Sequence, residues 1–288
     1  MNIGWIGTGL MGVPMAHRLL QGNFPLVAYN RTPAKLEPLR QAGAVVAESV
    51  AELLPQCQVV ILMLTDAAAI RELLLNDTVR PLLPQHTVIQ MGTIAPSESC
   101  CLQEDFTADG ADYFEAPVLG SIPEAQAGQL QIMVGSTPEQ FQQWLPVLQL
   151  MGTPQLIGPV GTAAALKLAL NQLIASLTTA FASSLSFVQQ YGVPVDRFME
   201  ILRHSALYAP TFDKKLQRML EGNYANPNFP TKHLLKDTNL FLKEAVTAGL
   251  QVDSLEGVRQ ILERACALGL ADADYSALRV AVQPRSMS

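Results

Sequence analysis

Charged residues are scarce in this chain. Only 15% of its 288 residues are Asp, Glu, Lys or Arg, whereas 49% are hydrophobic. Disordered chains show the opposite balance, so this composition predicts a folded protein with extensive buried interfaces. The net charge is -6, which gives no general attraction to phosphate backbones or anionic lipid. We therefore expect neither a nucleic-acid partner nor a membrane partner.

Cysteine is also rare. The four cysteines, Cys57, Cys100, Cys101 and Cys266, have neither the spacing of metal ligands nor that of a small disulfide framework. We expect reduced thiols and no metal site, as in a cytoplasmic protein. The N-terminus, which begins Met1-Asn2-Ile3, lacks the basic stretch and hydrophobic run of an export signal, and this favours the same compartment.

One long apolar stretch, residues 163–188, could be mistaken for a membrane span. It contains Lys167, Asn171, Gln172 and several Ser and Thr residues. Such polar positions are costly in lipid, so the stretch predicts a buried helix instead.

The first half of the chain alternates short apolar runs with helical segments. The predicted strands are 3–6, 26–29, 59–64, 88–91 and 113–116, with 129–134 and 155–157 as possible later strands whose pairing stays open. This rhythm is typical of a parallel sheet covered on both faces by helices. After Gly161 the sequence indicates helices only, so we predict domains at 1–161 and 162–288, joined by a long helix over 163–191, with a free tail over 283–288.

A glycine motif follows the first predicted strand. Gly7, Gly9 and Gly12 form a G-x-G-x-x-G pattern that continues into a predicted helix, with Leu10 and Met11 inside the turn. In this context the first glycine permits the turn, the second lets a pyrophosphate approach the backbone, and the third lets helix and strand pack closely. The N-terminal domain is thus predicted to be a doubly wound Rossmann domain that binds a dinucleotide, although glycines also mark ordinary turns.

The residues after the second strand indicate which dinucleotide is bound. An NAD enzyme usually has an acidic residue here to hold the ribose 2′-hydroxyl, but this chain has Asn30, Arg31 and Thr32. Arg31 can pair with a 2′-phosphate, and its neighbours can donate further hydrogen bonds. We predict binding of NADP(H) in preference to NAD(H). Use of both cofactors, or a merely solvated Arg31, stays open.

Lys167 and Asn171 are separated by one helical turn and therefore share a helix face. A lysine in an apolar helix is costly to bury unless it faces a cavity or a partner, and burial tunes its pKa for proton transfer. The alternative is a lysine whose charge reaches the surface beside a structural asparagine.

Four motifs in order resemble the β-hydroxyacid dehydrogenase family, which is related to 3-hydroxyisobutyrate dehydrogenases. They are the glycine motif, the Glu115–Ser121 segment, the Lys167/Asn171 pair and the Lys232–Asp237 segment. The stretch 115–130 and the Asn228-Phe229-Pro230 segment are most similar to the glyoxylate/succinic semialdehyde reductase branch. The resemblance covers nearly the whole chain.

The resemblance implies a reaction and a set of site residues. NADPH would reduce a small aldehyde or ketoacid to the hydroxyacid, or the reverse, with Lys167 as general acid and base and Asn171 orienting the substrate or the lysine. Independently of the resemblance, we expect the apolar faces of the helical C-terminal domain to complete a homodimer or homotetramer. Cofactor contacts are implied at Leu64, Thr65, Thr93 and Lys236, and substrate contacts at Thr93, Leu119, Gly120, Ser121, Phe229 and Asp237, each of which could instead be structural.

The chain departs from the family at three positions. Leu119 stands where serine is usual, Gly92 replaces another serine, and Gln90 replaces a common acidic residue. Loss of the hydroxyl at 119 removes one hydrogen-bond donor to a substrate carboxylate. Our hypothesis is that Leu119 shifts preference from glyoxylate toward a longer or less polar carbonyl compound.

Three other readings compete with this one. Imine reductases share the two-domain plan but usually have Asp or Tyr in the place of Lys167, so the lysine favours carbonyl chemistry. A 6-phosphogluconate dehydrogenase needs a larger helical domain than the residues after Gly161 provide. A non-catalytic NADP-binding module is the third, and the presence of Lys167 and Asn171 argues against it.

Overall fold

A computed structural model describes residues 1–283, and the predicted tail falls outside these residues except for Gln283. The described chain divides into two compact units, the first spanning Met1–Lys167 and the second beginning at Leu168. The predicted boundary at Gly161 lies one to two helical turns before Lys167, where the first unit ends. A single helix, Thr162–Gln190, contains the change from one unit to the other.

The first unit is built on one sheet with helices between its strands. Its strands are β1 Ile3–Ile6, β2 Leu26–Tyr29, β3 Val45–Val46, β4 Val59–Leu62, β5 Thr87–Gln90, β6 Asp112–Glu115, β7 Val118–Leu119, β8 Leu130–Gly135 and β9 Gly152–Gly158. Its helices are α1 Gly12–Gln21, α2 Glu37–Gln41, α3 Val50–Leu53, α4 Ala67–Leu74, α5 Pro96–Ala108, α6 Ile122–Ala127 and α7 Pro138–Leu148. The start of α8, Thr162–Gln190, completes it.

The sheet has the strand order β3-β2-β1-β4-β5-β6-β8-β7, and β9 pairs with β8. In this spatial order, the first six strands, from β3 through β1 to β6, are all parallel. Strand β8 runs antiparallel to β6 and β7, and parallel to β9. The predicted doubly wound fold is therefore confirmed. The sequence left open how the two later strands pair. They correspond to β8 and β9, which extend the sheet beyond β6 and run in the opposite direction to it.

Helices cover both faces of this sheet. Along β1, Ile3 and Trp5 join one hydrophobic core, whereas Ile6 joins the other. Along β4, Val60 and Leu62 lie on the opposite face from Ile61. Strands that are buried on both faces have continuous apolar sequences, which is why these strands could be predicted from the sequence.

The second unit consists of helices. After the rest of α8 come α9 Val195–Arg203, α10 Pro210–Glu221, α11 Thr231–Thr247, α12 Asp253–Ala265 and α13 Leu278–Val282. Helix α8 is long and apolar enough to cross a membrane by length and composition alone. However, Ala175, Phe181 and Leu185 of this helix are buried in the core of the second unit, as predicted for a core helix.

A buried ion pair joins α10 to Asp274 within the second unit. Lys215 on α10 donates from Nζ to both carboxylate oxygens of Asp274, at 2.9 Å each. Both residues are buried, and the same ammonium group lies 4.1 Å from the ring centroid of Tyr275. The pair is compensated further, because Ser276 donates to Asp274 from its backbone N–H and its hydroxyl. Such satisfaction is what makes a buried charge tolerable.

The turn between β1 and α1 is packed too tightly for side chains. A Cβ built on Gly12 would lie 2.0 Å from the carbonyl oxygen of Gly7, which also accepts a 2.9 Å hydrogen bond from Trp5 Nε1. A Cβ on Gly7 would lie 2.3 Å from the carbonyl oxygen of Met63. Gly9, in contrast, has nothing within 4 Å of the same position.

We predict that Gly12→Ala lowers the free energy of unfolding of the first unit by at least about 1–3 kcal/mol, because backbone must move to admit the methyl group. Gly9→Ala is the matched control in the same loop, and its effect should stay within about 0.5 kcal/mol. Urea unfolding followed by tryptophan fluorescence measures both, since Trp5 and Trp144 lie in this unit. Equal stabilities of the two variants would contradict the steric argument.

Candidate functional site

The carboxyl ends of the parallel strands bring the predicted cofactor residues together. Strand order reverses between β1 and β4, because β1 continues to β2 on one side and β4 to β5 on the other. Ligands of doubly wound sheets bind at the carboxyl edge beside such a reversal. The glycine loop follows β1, Asn30 follows β2, and Leu64 and Thr65 follow β4. Thr93, a half-buried residue, follows β5 at the same edge.

A pocket lies at this edge of the first unit. Seven of the predicted cofactor residues line it: Gly7, Gly9, Asn30, Arg31, Thr32, Leu64 and Thr65. Leu10, Met11, Gly12 and Thr93 are not among the lining residues. Leu10 is exposed, whereas Gly12 is buried as the first residue of α1. Gly12 thus serves packing, and the open space above Gly9 is the part of the loop that a ligand can approach.

The side chain of Asn30 is already used within the protein. Its Oδ1 accepts a 3.1 Å hydrogen bond from the backbone N–H of Thr8, and its Nδ2 donates to the carbonyl oxygen of Thr32 at 3.0 Å. Asn30 therefore ties the glycine loop to the segment after β2. Only one of the two N–H groups on Nδ2 is used in this way, so donation to a 2′-phosphate stays a prediction.

Lys35 is a pocket residue that the sequence reasoning missed. It lies in the 3₁₀ turn Pro33–Leu36 and lines the pocket together with Arg31. A lysine four residues after Arg31, in a turn begun by proline, was the available signal. Glu72 on α4 also lines the pocket, so both signs of charge are present there.

The glycine at position 92 has a steric cause. A Cβ built there would lie 2.4 Å from the carbonyl oxygen of Leu64. Gln90 encloses the same residue, since its Nε2 donates to the carbonyl oxygen of Gly92 at 3.1 Å and its Oε1 accepts from the Gly92 N–H. The two departures from the family pattern therefore belong to one local arrangement.

The predicted substrate segment in the first unit is only partly available to a ligand. Half-buried Leu119 ends β7, where it pairs with Gln131 of β8, and Gly120 has a φ of +140°. The Ser121 hydroxyl donates to Glu124 Oε2 at 2.5 Å, and the Ser121 N–H donates to the same oxygen at 2.9 Å. Ser121 thus begins α6, and its hydroxyl proton is committed to Glu124.

Glu115 at the end of β6 was known from the sequence only as part of a motif. The side chain is fully buried, and Oε1 accepts hydrogen bonds from three backbone N–H groups at the start of α8. Burial raises the pKa of this carboxyl group, while the Ser99 hydroxyl and the backbone donors act in the opposite direction. Lys167 follows on the same helix and is also buried.

In the second unit, Asp237 connects two predicted residues. Asn171 Nδ2 donates to Asp237 Oδ2 at 2.7 Å, and Lys236 Nζ lies 2.8 Å from Asp237 Oδ1. Asn171 and Asp237 are both buried, and the Asp237 carboxylate contacts both Asn171 and Lys236. The Oδ1 atom of Asn171 is buried without a hydrogen-bond partner within residues 1–283. It is therefore an acceptor that a ligand could satisfy.

Phe229 lies in the segment before α11 and is half-buried against the core of the second unit. Its ring meets Tyr275 edge-on, with centroids 5.9 Å apart, and its carbonyl oxygen accepts from the Tyr275 N–H at 3.1 Å. This arrangement fixes the backbone of the segment. Phe229 therefore has a packing role, and this role is compatible with contact to a substrate.

Two family models together cover nearly the whole chain. Residues 2–163 match the NAD binding domain of 6-phosphogluconate dehydrogenase. Residues 161–281 match a second model, described as NAD-binding of NADP-dependent 3-hydroxyisobutyrate dehydrogenase.

Individual proteins agree with this assignment. Glyoxylate/succinic semialdehyde reductase 1 of Arabidopsis thaliana is 31% identical over 286 residues, 98% of this chain and 99% of that protein. Two solved structures show the same fold. A 3-hydroxyisobutyrate dehydrogenase of Mycobacterium tuberculosis has 21% identity and a TM-score of 0.89 over 98% of this chain and 99% of its own. An imine reductase of Myxococcus stipitatus has 19% identity and a TM-score of 0.67 over 98% and 100%. From its motifs, its sheet and these matches, the chain belongs to the β-hydroxyacid dehydrogenase family of NAD(P)-dependent oxidoreductases.

Proposed function

We propose that the protein reduces a small aldehyde or ketoacid of the glyoxylate or succinic semialdehyde type with NADPH, or catalyses the reverse oxidation, with Lys167 as general acid and base. The observation that carries this proposal is the placement of a buried lysine one helical turn before a buried, anchored asparagine on α8. The name of the Arabidopsis relative supports the substrate class.

The residues of the pocket suit a dinucleotide. Gly9 leaves open space for a pyrophosphate, and the hydroxyl Oγ1 of Thr8 is buried without a hydrogen-bond partner in the described part of the chain. The N-terminus of α1 lies directly after this loop and favours negative charge. Arg31 and Lys35 supply two cations that suit a 2′-phosphate better than a free 2′-hydroxyl.

When bound, the reduced nicotinamide supplies hydride to the carbonyl carbon. The carbonyl oxygen gains negative charge as the bond forms, so an ammonium group placed beside it stabilises that charge and supplies the proton. Lys167 fills this role in the proposal, and it accepts the hydroxyl proton in the oxidative direction. Asn171 orients the substrate oxygen or the lysine, and Asp237 holds the asparagine amide.

The main alternatives are reduction of an imine and cofactor binding without catalysis. The fold similarity to an imine reductase keeps the first open, since the two proteins share an architecture. An imine assayed beside the carbonyl compounds decides between them, because an imine reductase consumes NADPH with the imine and a binding module consumes NADPH with neither.

We predict that Lys167→Met lowers kcat for carbonyl reduction about 10²–10⁴-fold, because methionine keeps the apolar stem but removes the proton. NADPH oxidation at 340 nm with glyoxylate, succinic semialdehyde, tartronate semialdehyde and methylmalonate semialdehyde is the measurement. Lys243→Met, at an exposed position of α11, is the control and should retain full activity. Full activity of Lys167→Met would remove the lysine from the mechanism.

We predict that Arg31→Ala lowers kcat/KM for NADPH about tenfold to a hundredfold, since charged hydrogen bonds to phosphate contribute about 1.5–3 kcal/mol. The value for NADH should change little, because NADH has no 2′-phosphate. Arg40→Ala is the control, as Arg40 is an exposed arginine of the same unit that pairs with Glu37. Equal losses with both cofactors would show that Arg31 does not select the phosphate.

We predict that Leu119→Ser raises kcat/KM for glyoxylate relative to succinic semialdehyde about tenfold to a hundredfold, because a restored hydroxyl donates to the carboxylate of a short substrate. Leu119→Ala is the matched control, since it removes the same bulk without adding a donor. Steady-state kinetics on both substrates measure the ratio. If the two variants change it equally, volume rather than hydrogen bonding sets the preference.

A further inference from the structure

A carboxylate from the sheet holds the first turn of α8. Oε1 of Glu115 accepts from the backbone N–H groups of Gly161 at 2.8 Å, Ala163 at 2.9 Å and Ala164 at 3.0 Å. The first N–H groups of a helix have no partner within the helix, and negative charge at this end is favourable. One oxygen therefore satisfies three donors that would otherwise be buried unpaired.

The surrounding residues leave room for this carboxylate. A Cβ on Gly135 of β8 would lie 2.5 Å from Glu115 Oε1, so any larger residue at 135 would displace it. Gly161 turns the chain into the helix with a φ of +97°, which favours glycine. Ser99 lies beside the carboxyl group, and its hydroxyl is hydrogen-bonded to the Tyr113 hydroxyl, with the two oxygens 2.9 Å apart. Residues from four separate segments thus converge on this contact.

This contact differs from the local caps of other helices. Asp66 begins α4 by accepting from Ala69, three residues along the chain, and Thr137 begins α7 by accepting from Gln140 in the same way. Glu115 is 46 residues before Gly161. A local cap stabilises its own helix, whereas Glu115 fixes the start of α8 relative to the sheet.

We infer that Glu115 is a positioning residue for Lys167. The lysine lies one turn after Ala163, so the height and rotation of the anchored first turn set the position of its side chain. A misplacement of about 1 Å at a reacting group can lower the rate about a hundredfold. The inference rests on the proposed function, in which Lys167 transfers the proton.

Two substitutions separate the position of the carboxylate from its charge. Glu115→Gln keeps the length and an acceptor oxygen, and its amide can donate to the Ser99 hydroxyl. Glu115→Asp keeps the charge but withdraws the oxygens by about 1.5 Å, one carbon–carbon bond. We expect kcat to fall at least tenfold in Glu115→Asp and to stay within about threefold of the wild type in Glu115→Gln. The Kd for NADPH, measured by fluorescence titration, should change less than twofold in both.

Amide hydrogen exchange of the cofactor-free protein gives a readout without activity. The peptide spanning 159–168 should exchange at least tenfold faster in Glu115→Asp, whereas Glu115→Gln should resemble the wild type. Thr137→Ala is the control, since it removes the cap of a helix that holds none of the predicted site residues. Its kcat and the exchange of 159–168 should both be unchanged.

The outcomes distinguish this inference from the proposed function. A lower kcat in Glu115→Gln than in Glu115→Asp would show that charge rather than position matters, and would overturn the inference. Unchanged kcat and exchange in Glu115→Asp would overturn it as well. If Lys167→Met kept its activity, the proposed function would fail, while the exchange data would still decide whether Glu115 anchors the start of α8.

Discussion

The close packing of backbone around the glycine loop is the constraint on which the cofactor site depends. The carbonyl oxygen of Gly7 lies where a Cβ of Gly12 would stand, and the carbonyl oxygen of Met63, directly after β4, lies where a Cβ of Gly7 would stand. Strand, loop and helix can only meet in this way if two of the three glycines have no side chain. The third, Gly9, then stands alone over open space, which is what an approaching phosphate requires.

Much of the fold follows directly from local sequence patterns. The predicted first two strands have the bounds that the structure shows, because buried parallel strands are continuous apolar runs between turn residues. Strands β3 and β7 were missed, since each has two residues and shows no pattern of its own. The reversal at β8 depends on pairing between distant segments, which periodicity does not report.

The candidate site was less predictable, because hydrogen-bond partners decide what a polar residue does. Asn30 and Ser121 were expected to donate to ligands, yet the Ser121 hydroxyl donates to Glu124, and one of the two Asn30 amide N–H groups donates to Thr32. Glu115 and Asp237 looked like single members of motifs, yet each holds a residue that is 46 or more positions away. Pairings across such separations are set by the tertiary fold. Lys35, which was missed, could have been found from the sequence alone, since it lies only four residues after Arg31.

The ion pair of Lys215 and Asp274 bears on how the chain matures during synthesis. Asp274 also accepts from the Asn228 N–H, and the adjoining Tyr275 N–H donates to the carbonyl oxygen of Phe229. The segment before α11 thus takes its final form from residues that come 46 positions later in the chain. A nascent polypeptide whose residues around 274 are still within the ribosome holds Lys215 and Phe229 without these partners. The second unit therefore cannot complete these contacts until the residues around 274 have left the ribosome.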